Sequence, residues 1–518
     1  MMVSNDRNKP FGARNAPSVL DTIWADWRTG AAVGLGAAGG FGLLAAWWTP
    51  RGPLTTSESL ATMIVGLLVG VIVGMAFRSR WAMLAAPVTS VAVFEAARLG
   101  IDGPTVDEIH TSTYGIFAFV VGRGFHALVG LTPMILGAAL GAGIARRLSP
   151  SMPSGTHRGT AGMYIRRTVA ALTAAAIFIL AALIARPAAT SPILGADGKP
   201  LAEGIAELTT VESGGKDLGL MLRGVSIANP ILLFLAGGPG GSELGAMRNH
   251  LPALEESFVV ATLDQRGTGT SYPDLDPTST LTLESYIGDT LTVTNYLRDR
   301  FDQDKIYLLG QSGGTIHGVL AVQQEPDLYH AFIGAGQMVS PLETDRIFYE
   351  DTLAWASRNG DAELANELKR IGPPPYQDML DYETALSHEY QVYPYDRSGN
   401  SEGEGGFSEN FIVPEYTLTD QVHLLGAFMD TFAVIYPQLQ KVDFRGTVTS
   451  LEVPVYFVQG THEARGRAEP FREWFEMLEA PRKHFTELPT SGHRPLFEQP
   501  GEFIEYMNNT VLAQTPPS

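Results

Sequence analysis

Hydrophobic positions along this chain fall into two regimes. Up to about residue 185 they form long runs of Ala, Gly, Leu, Val and Ile broken by short polar loops. Beyond a Pro- and Gly-containing linker at 186–200 they shorten to runs of five or six, alternating with amphipathic stretches. A helix crosses about 30 Å of hydrocarbon with about 20 apolar residues. Five windows meet that length: Ala31–Trp48, Ser59–Phe77, Trp81–Ala97, Gly124–Ile144 and Thr168–Ala185. The first is not expected to be a cleaved leader, because a polar stretch precedes it and further spans follow. Gly66, Gly70 and Gly74, like Gly137 and Gly141, repeat every fourth residue. That spacing predicts close helix packing within one bundle. Glu95, Arg98, Arg123 and His126 fall near span ends, where they are expected to pair or to reach the interface.

Lys and Arg orient the spans, since positive loops stay on the cytoplasmic side. Arg7, Lys9, Arg14 and Arg28 precede the first span, and Arg78 and Arg80 follow the second. Arg146, Arg147, Arg158, Arg166 and Arg167 lie between the fourth and fifth. The alternate loops carry Arg51 alone, or Asp102, Asp107 and Glu108. Five crossings in this pattern place the N-terminus inside the cell membrane and everything after Ala185 outside.

In the second regime, buried strands are expected at Ile231–Leu235, Phe258–Leu263, Lys305–Leu309, Val453–Val458 and His484–Leu488, with an amphipathic helix at Leu283–Phe301. Strands alternating with helices argue for a mostly parallel sheet covered on both faces. Between 341 and 446 helical stretches dominate: Thr344–Ser357, Ala362–Arg370 and Gln421–Ile435. An insertion of that kind reads as a lid over the carboxyl edge of the sheet. The predicted domains are therefore an all-α membrane region at 1–189, a core in two parts at 190–340 and 447–518, and a helical cap at 341–446.

Composition narrows the chemistry. The net charge is −19, mostly from the second regime, which excludes binding to nucleic acid through clustered cations. With no cysteine, a disulfide framework, a thiolate nucleophile and a Cys-ligated metal are all excluded.

The strand Lys305–Leu309 runs into Gly310-Gln311-Ser312-Gly313-Gly314 and then a helical stretch. A G-x-S-x-G placed between strand and helix is the turn that lifts a serine nucleophile above an α/β-hydrolase sheet. A serine hydroxyl needs a base, and His493 follows the last predicted strand in Ser491-Gly492-His493. A carboxylate must hold the imidazole. Glu463, in Gly460-Thr461-His462-Glu463 after the strand Val453–Val458, is the candidate, with Glu469 as the alternative. Two backbone N–H groups must receive the oxyanion, from Gly313 after the nucleophile and Gly238 in the loop Gly237-Gly238-Pro239-Gly240-Gly241. That loop lacks the Gly-Lys-Ser/Thr ending of a phosphate cradle.

This glycine loop, the segment Asp264-Gln265-Arg266-Gly267-x-Gly269-x-Ser271, the Gly310–Gly314 motif and Gly492-His493 together resemble the proline iminopeptidases and their α/β-hydrolase relatives. The resemblance covers about Gly204–Phe503 and departs from the family at Ala236, usually His, and at Glu463, usually Asp. It implies an α/β-hydrolase fold with a cap, and a serine peptidase that removes N-terminal proline or small residues from short peptides without cofactor or metal. It also implies cap carboxylates for the substrate amine, with Glu343 and Glu350 in the matching stretch. An esterase or lipid-active hydrolase with the same triad, and a non-catalytic membrane scaffold, are the competing readings. The expected partners are a short peptide or ester substrate and the lipid bilayer.

Overall fold

The computed structural model describes residues 19–101, 103–107, 109–148, 160–402 and 408–517. Arg7, Lys9, Arg14, Asp102, Glu108 and Arg158, used above for orientation, lie outside them. The chain divides into two compact units. One holds the chain up to Pro50, Leu60–Leu99 and His126–Ala181; the other holds Arg51–Ser59, Gly100–Phe125 and everything from Ala182 onward.

In the N-terminal third, Trp27–Trp48, Thr56–Phe77, Thr113–Leu148 and Gly162–Ile184 are long and apolar enough to cross a membrane, while Ala82–Ala97 is a shorter apolar helix. The two glycine series lie against the neighbouring helix. A Cβ at Gly70 would stand 2.0 Å from the Met134 carbonyl oxygen, and one at Gly137 would stand 2.1 Å from that of Leu67. Any side chain at either position would push the helices apart. Arg98 pairs with Glu95 at 2.6 Å.

The second unit is built on one eight-stranded sheet in the order β1-β2-β4-β3-β5-β6-β7-β8. Its strands are β1 (Ile205–Ser213), β2 (Lys216–Gly224), β3 (Ile231–Leu235), β4 (Val259–Leu263), β5 (Ile306–Gln311), β6 (Tyr329–Ala335), β7 (Val455–Gly460) and β8 (Lys483–Leu488). The pairs β1–β2 and β2–β4 are antiparallel and all others parallel. Strands β3, β4, β5 and β7 are buried along their whole length. Covered faces on both sides of a parallel sheet explain why these strands read as continuous apolar runs. Successive residues still separate: Leu233 and Leu308 enter one core, Leu232, Phe234, Tyr307 and Leu309 the other.

Helix Leu283–Phe301 has the predicted bounds because Thr282 and Ser285 form a capping box and Asp302 closes it in the left-handed region. Within 341–446 the main helices are Pro341–Asn359, Ala362–Ile371 and Leu418–Leu439. The last lies against the glycine loop: a Cβ at Gly240 would stand 2.8 Å from the Phe428 carbonyl oxygen. It also carries Asp430, a buried carboxylate that accepts from Arg51 (2.6 Å), Tyr272 (2.7 Å), and both the backbone N–H and the hydroxyl of Thr105 (3.1 and 2.6 Å). Arg51 and Thr105 belong to segments that the hydropathy pattern treats as loops of the membrane region. Their contacts place them within the sheet unit.

Candidate active site

Ser312 stands between β5 and helix Gly314–Gln324 with φ at +49°. A non-glycine residue held there is strained, and the flanking glycines show why it persists. A Cβ at Gly310 would meet Thr315 backbone at 2.9 Å, and one at Gly314 would meet the Leu235 carbonyl oxygen at 2.4 Å. Only glycine on both sides lets strand and helix close on the turn. The Ser312 N–H is donated to the Ala335 carbonyl, fixing the turn to β6.

His493 follows β8, and its ring spans two partners. Nε2 lies 2.7 Å from Ser312 Oγ, and Nδ1 lies 2.7 Å from Glu463 Oε2. Glu463 sits at the end of β7 with its side chain 2 % exposed. In sequence the histidine is 181 positions from the serine and 30 from the glutamate, yet the three form one hydrogen-bonded line. Glu469, the alternative acid, is on the surface and pairs with Arg465 at 3.3 Å.

The glycine loop after β3 lies over the serine. A Cβ at Gly313 would fall 2.0 Å from the Gly238 carbonyl oxygen, so the two backbones are in direct contact. The neighbouring amides are engaged: Gly237 N–H with Glu243 (3.1 Å) and Thr315 N–H with Ser312 O (2.9 Å). Among the described residues, the N–H groups of Gly238 and Gly313 have no backbone acceptor in the surrounding turns. Two such donors adjoin Ser312, an arrangement able to receive an oxyanion.

Residues 230–493 match the α/β-hydrolase fold family. The span opens beside β3 and ends on His493. The chain belongs to the α/β-hydrolase family. A probable aminopeptidase, YbaC of Bacillus subtilis (strain 168), is 30 % identical over 314 residues, which cover 60 % of this chain and 97 % of that protein. Among solved structures, a proline iminopeptidase-related protein of Thermus thermophilus matches with a TM-score of 0.42 at 21 % identity, over 61 % of this chain and all of the other. The proline iminopeptidase of Mycobacterium smegmatis matches with a TM-score of 0.42 at 18 % identity, over 60 % of this chain and 98 % of the other.

Several residues that support this hydrolase site carry no motif. Arg467 is buried one helical turn beyond Glu463 and donates to its Oε1 at 2.7 Å. It also pairs with Glu389 of the cap and lies over the Phe348 ring. Burial alone would raise the Glu463 carboxyl, but Arg467 and His493 outweigh it and hold it at about 2. Because the folded value is depressed from 4.5, ionised Glu463 contributes stability that is complete above about 4.5 and lost as pH falls through about 2. Arg467→Met should raise that value and move the acid loss of activity to higher pH, so that kcat/KM falls more at pH 5 than at pH 8. A pH–rate profile checks this; a profile displaced uniformly at all pH values would contradict it. The i, i+4 spacing of Glu463 and Arg467 was the available signal.

Glu243 holds the glycine loop from below. It accepts the Gly237 N–H and, through its other oxygen, Arg494 at 2.8 Å, tying that loop to the histidine turn. In the Asp-Gln-Arg-Gly segment, Arg266 pairs with buried Asp289 at 2.6 Å and Gln265 donates to the Ala236 carbonyl at 2.8 Å. Gln265 thereby braces the glycine loop, while Arg266 ties its own segment to helix Leu283–Phe301 and to the Ser213 carbonyl.

The structure gives the two predicted amine ligands other settings. Glu343 is paired with Arg445, which also holds Asp443 and Glu473. Glu350, on the same helix, is exposed. Neither lines the cleft beside Ser312. An arginine already neutralises Glu343, so an incoming ammonium would have to compete with it.

Proposed function

We propose that this hydrolase is a membrane-anchored serine aminopeptidase that releases N-terminal proline or small residues from short peptides, facing outward. The hydrogen-bonded line Ser312–His493–Glu463 carries the chemical part. Ser312 Oγ attacks the scissile carbonyl while His493 Nε2 takes its proton, and Glu463 stabilises the imidazolium that forms. The N–H groups of Gly238 and Gly313 hold the oxyanion, where loss of one donor costs about 10²–10³ in rate. His493 then protonates the leaving amine, and water activated by the same base hydrolyses the acyl-enzyme. The likeness to a probable aminopeptidase supports the peptidase part of the reading.

The orientation rests on loop charge and on parity. Arg78 and Arg80 follow helix Thr56–Phe77, and Arg146 and Arg147 end helix Thr113–Leu148, on what would be the inner side. The segments around Arg51 and Thr105 belong to the hydrolase unit, which supports placing both on its side of the bilayer. That condition is met only if an even number of crossings follows each, which counts Ala82–Ala97 as a span. Its 16 residues rise about 24 Å.

Specificity is tested by pairing substrates. The purified full chain should cleave prolyl- and alanyl-linked chromogenic amides with free N-termini at least tenfold faster, in kcat/KM, than their N-acetylated forms. Equal rates on free and blocked amides, with faster cleavage of short acyl esters, would transfer the assignment to an esterase. Failure of Ser312 to label with a fluorophosphonate would leave a non-catalytic scaffold.

A further inference from the structure

The turn that carries His493 is held by a buried carboxylate that takes no part in the proposed proton transfer. Glu498 ends the short helix Pro495–Glu498 and is 3 % exposed. It accepts the backbone N–H of Gly492 and that of Arg494, each at 3.0 Å, so it grips the chain on both sides of the histidine. The same carboxylate accepts the Tyr395 hydroxyl at 2.7 Å and the Asn400 side-chain amide at 2.6 Å, both from the insertion at 341–446. Gly492 leaves room for this approach, since a Cβ there would stand 2.6 Å from the Tyr395 hydroxyl oxygen. The Tyr395 ring also stacks on His462, the neighbour of Glu463, with centroids 4.7 Å apart and planes 4° from parallel.

The donors explain the residue type. Oε2 accepts from Tyr395, Asn400 and Gly492, and Oε1 accepts from Arg494. An ionised carboxylate can only accept, and at both ends. A glutamine could place its carbonyl oxygen at one end alone, and its own N–H groups would then oppose a donor at the other. Bonds to a charged acceptor are also about twice as strong as neutral ones, and they limit rotation of the backbone that bears the imidazole. The insertion reaches the acid of the triad in parallel: Glu389, six positions before Tyr395, pairs with Arg467, which donates to Glu463. We propose that Glu498 is a positioning residue for His493, and that segment 389–400 completes the alignment of the triad through Glu498 on the base and Arg467 on the acid. Lifting that segment releases both together, so the triad is fully aligned only with the segment seated. This rests on the serine-hydrolase mechanism above and adds to it the groups that hold the base in place.

The test uses the full chain in detergent, with Glu498→Gln, Tyr395→Phe and the two combined. For each, kcat and KM on alanyl p-nitroanilide and the rate of Ser312 labelling by a fluorophosphonate are measured per folded molecule. Glu498→Gln should lower kcat and the labelling rate by about tenfold or more with KM nearly unchanged, because the base is displaced while the substrate contacts remain. Tyr395→Phe removes one hydroxyl and should lower both rates by about threefold; added to Glu498→Gln it should cost little more, since the two act through one group. Parental kcat and labelling per folded Glu498→Gln molecule would overturn the proposal, even if its unfolding temperature falls, because the role would then be structural only. A rise in KM alone, or effects of the two substitutions that simply add, would also overturn it. If Glu498→Gln does not fold, Tyr395→Phe decides, and a parental labelling rate in that variant would overturn the proposal. Failure of the underlying mechanism is separate: the parent would not label, or Ser312→Ala would retain turnover.

Discussion

Ser312→Ala is expected to abolish turnover of prolyl- and alanyl-linked amides, lowering kcat by roughly 10⁴- to 10⁶-fold. The substitution removes one oxygen from a line of hydrogen bonds whose other members keep their partners. His493 Nδ1 remains on Glu463, and Glu463 remains on Arg467. Alanine tolerates the left-handed turn about as well as serine does, so the fold should survive and thermal unfolding should match the parent. Residual activity is expected from the N–H groups of Gly238 and Gly313, which still polarise a bound carbonyl. Loss of fluorophosphonate labelling should accompany loss of turnover. A folded Ser312→Ala protein that turns over amides at the parent rate would remove the serine mechanism altogether.

The second large effect is expected at Arg51, far from the triad in sequence. Its guanidinium, 2 % exposed, is paired with Asp430, whose side chain is 1 % exposed. Removing one partner of a buried pair leaves an uncompensated charge, which costs about 3–5 kcal/mol. Arg51→Met should therefore destabilise the hydrolase unit by about that amount, read as a lowered unfolding temperature of the solubilised chain. Arg51→Met with Asp430→Asn should lose less than the single variant, because no buried charge is left stranded; Asp276, the other partner of Arg51, is half exposed. A single variant as stable as the parent would show that the pair contributes nothing. The same contact predicts that a chain cut to residue 190 onward unfolds more readily than the full chain, since it lacks both Arg51 and Thr105. Asp430 lies two residues from Phe428, which packs on the glycine loop, so activity should fall along with stability.

Much of the candidate site was legible because its constraints are local. A serine between glycines after a buried strand, a Gly-His after the last strand and an acid after the preceding one each carry their geometry in adjacent residues. The three main helices of 341–446 and five of the eight strands were legible from period and length, while β1, β2 and β6 were not located. Arg467 was less so, because an arginine four residues after a glutamate is common on exposed helices and only burial makes it part of the site. Glu343 shows the reverse case. It stood in the right stretch, but Arg445, 102 positions later, folds onto it.

By itself, the order of residues determined that one segment is apolar enough for a membrane and that another forms a covered parallel sheet with a serine turn. Both follow from periodicity and from the backbone demands of glycine. The tertiary structure decided which carboxylate meets the histidine, which glutamates are occupied by arginine, and that Arg51 and Thr105 belong to the hydrolase unit. Those outcomes depend on burial and on pairs far apart in the chain, and no local pattern encodes either.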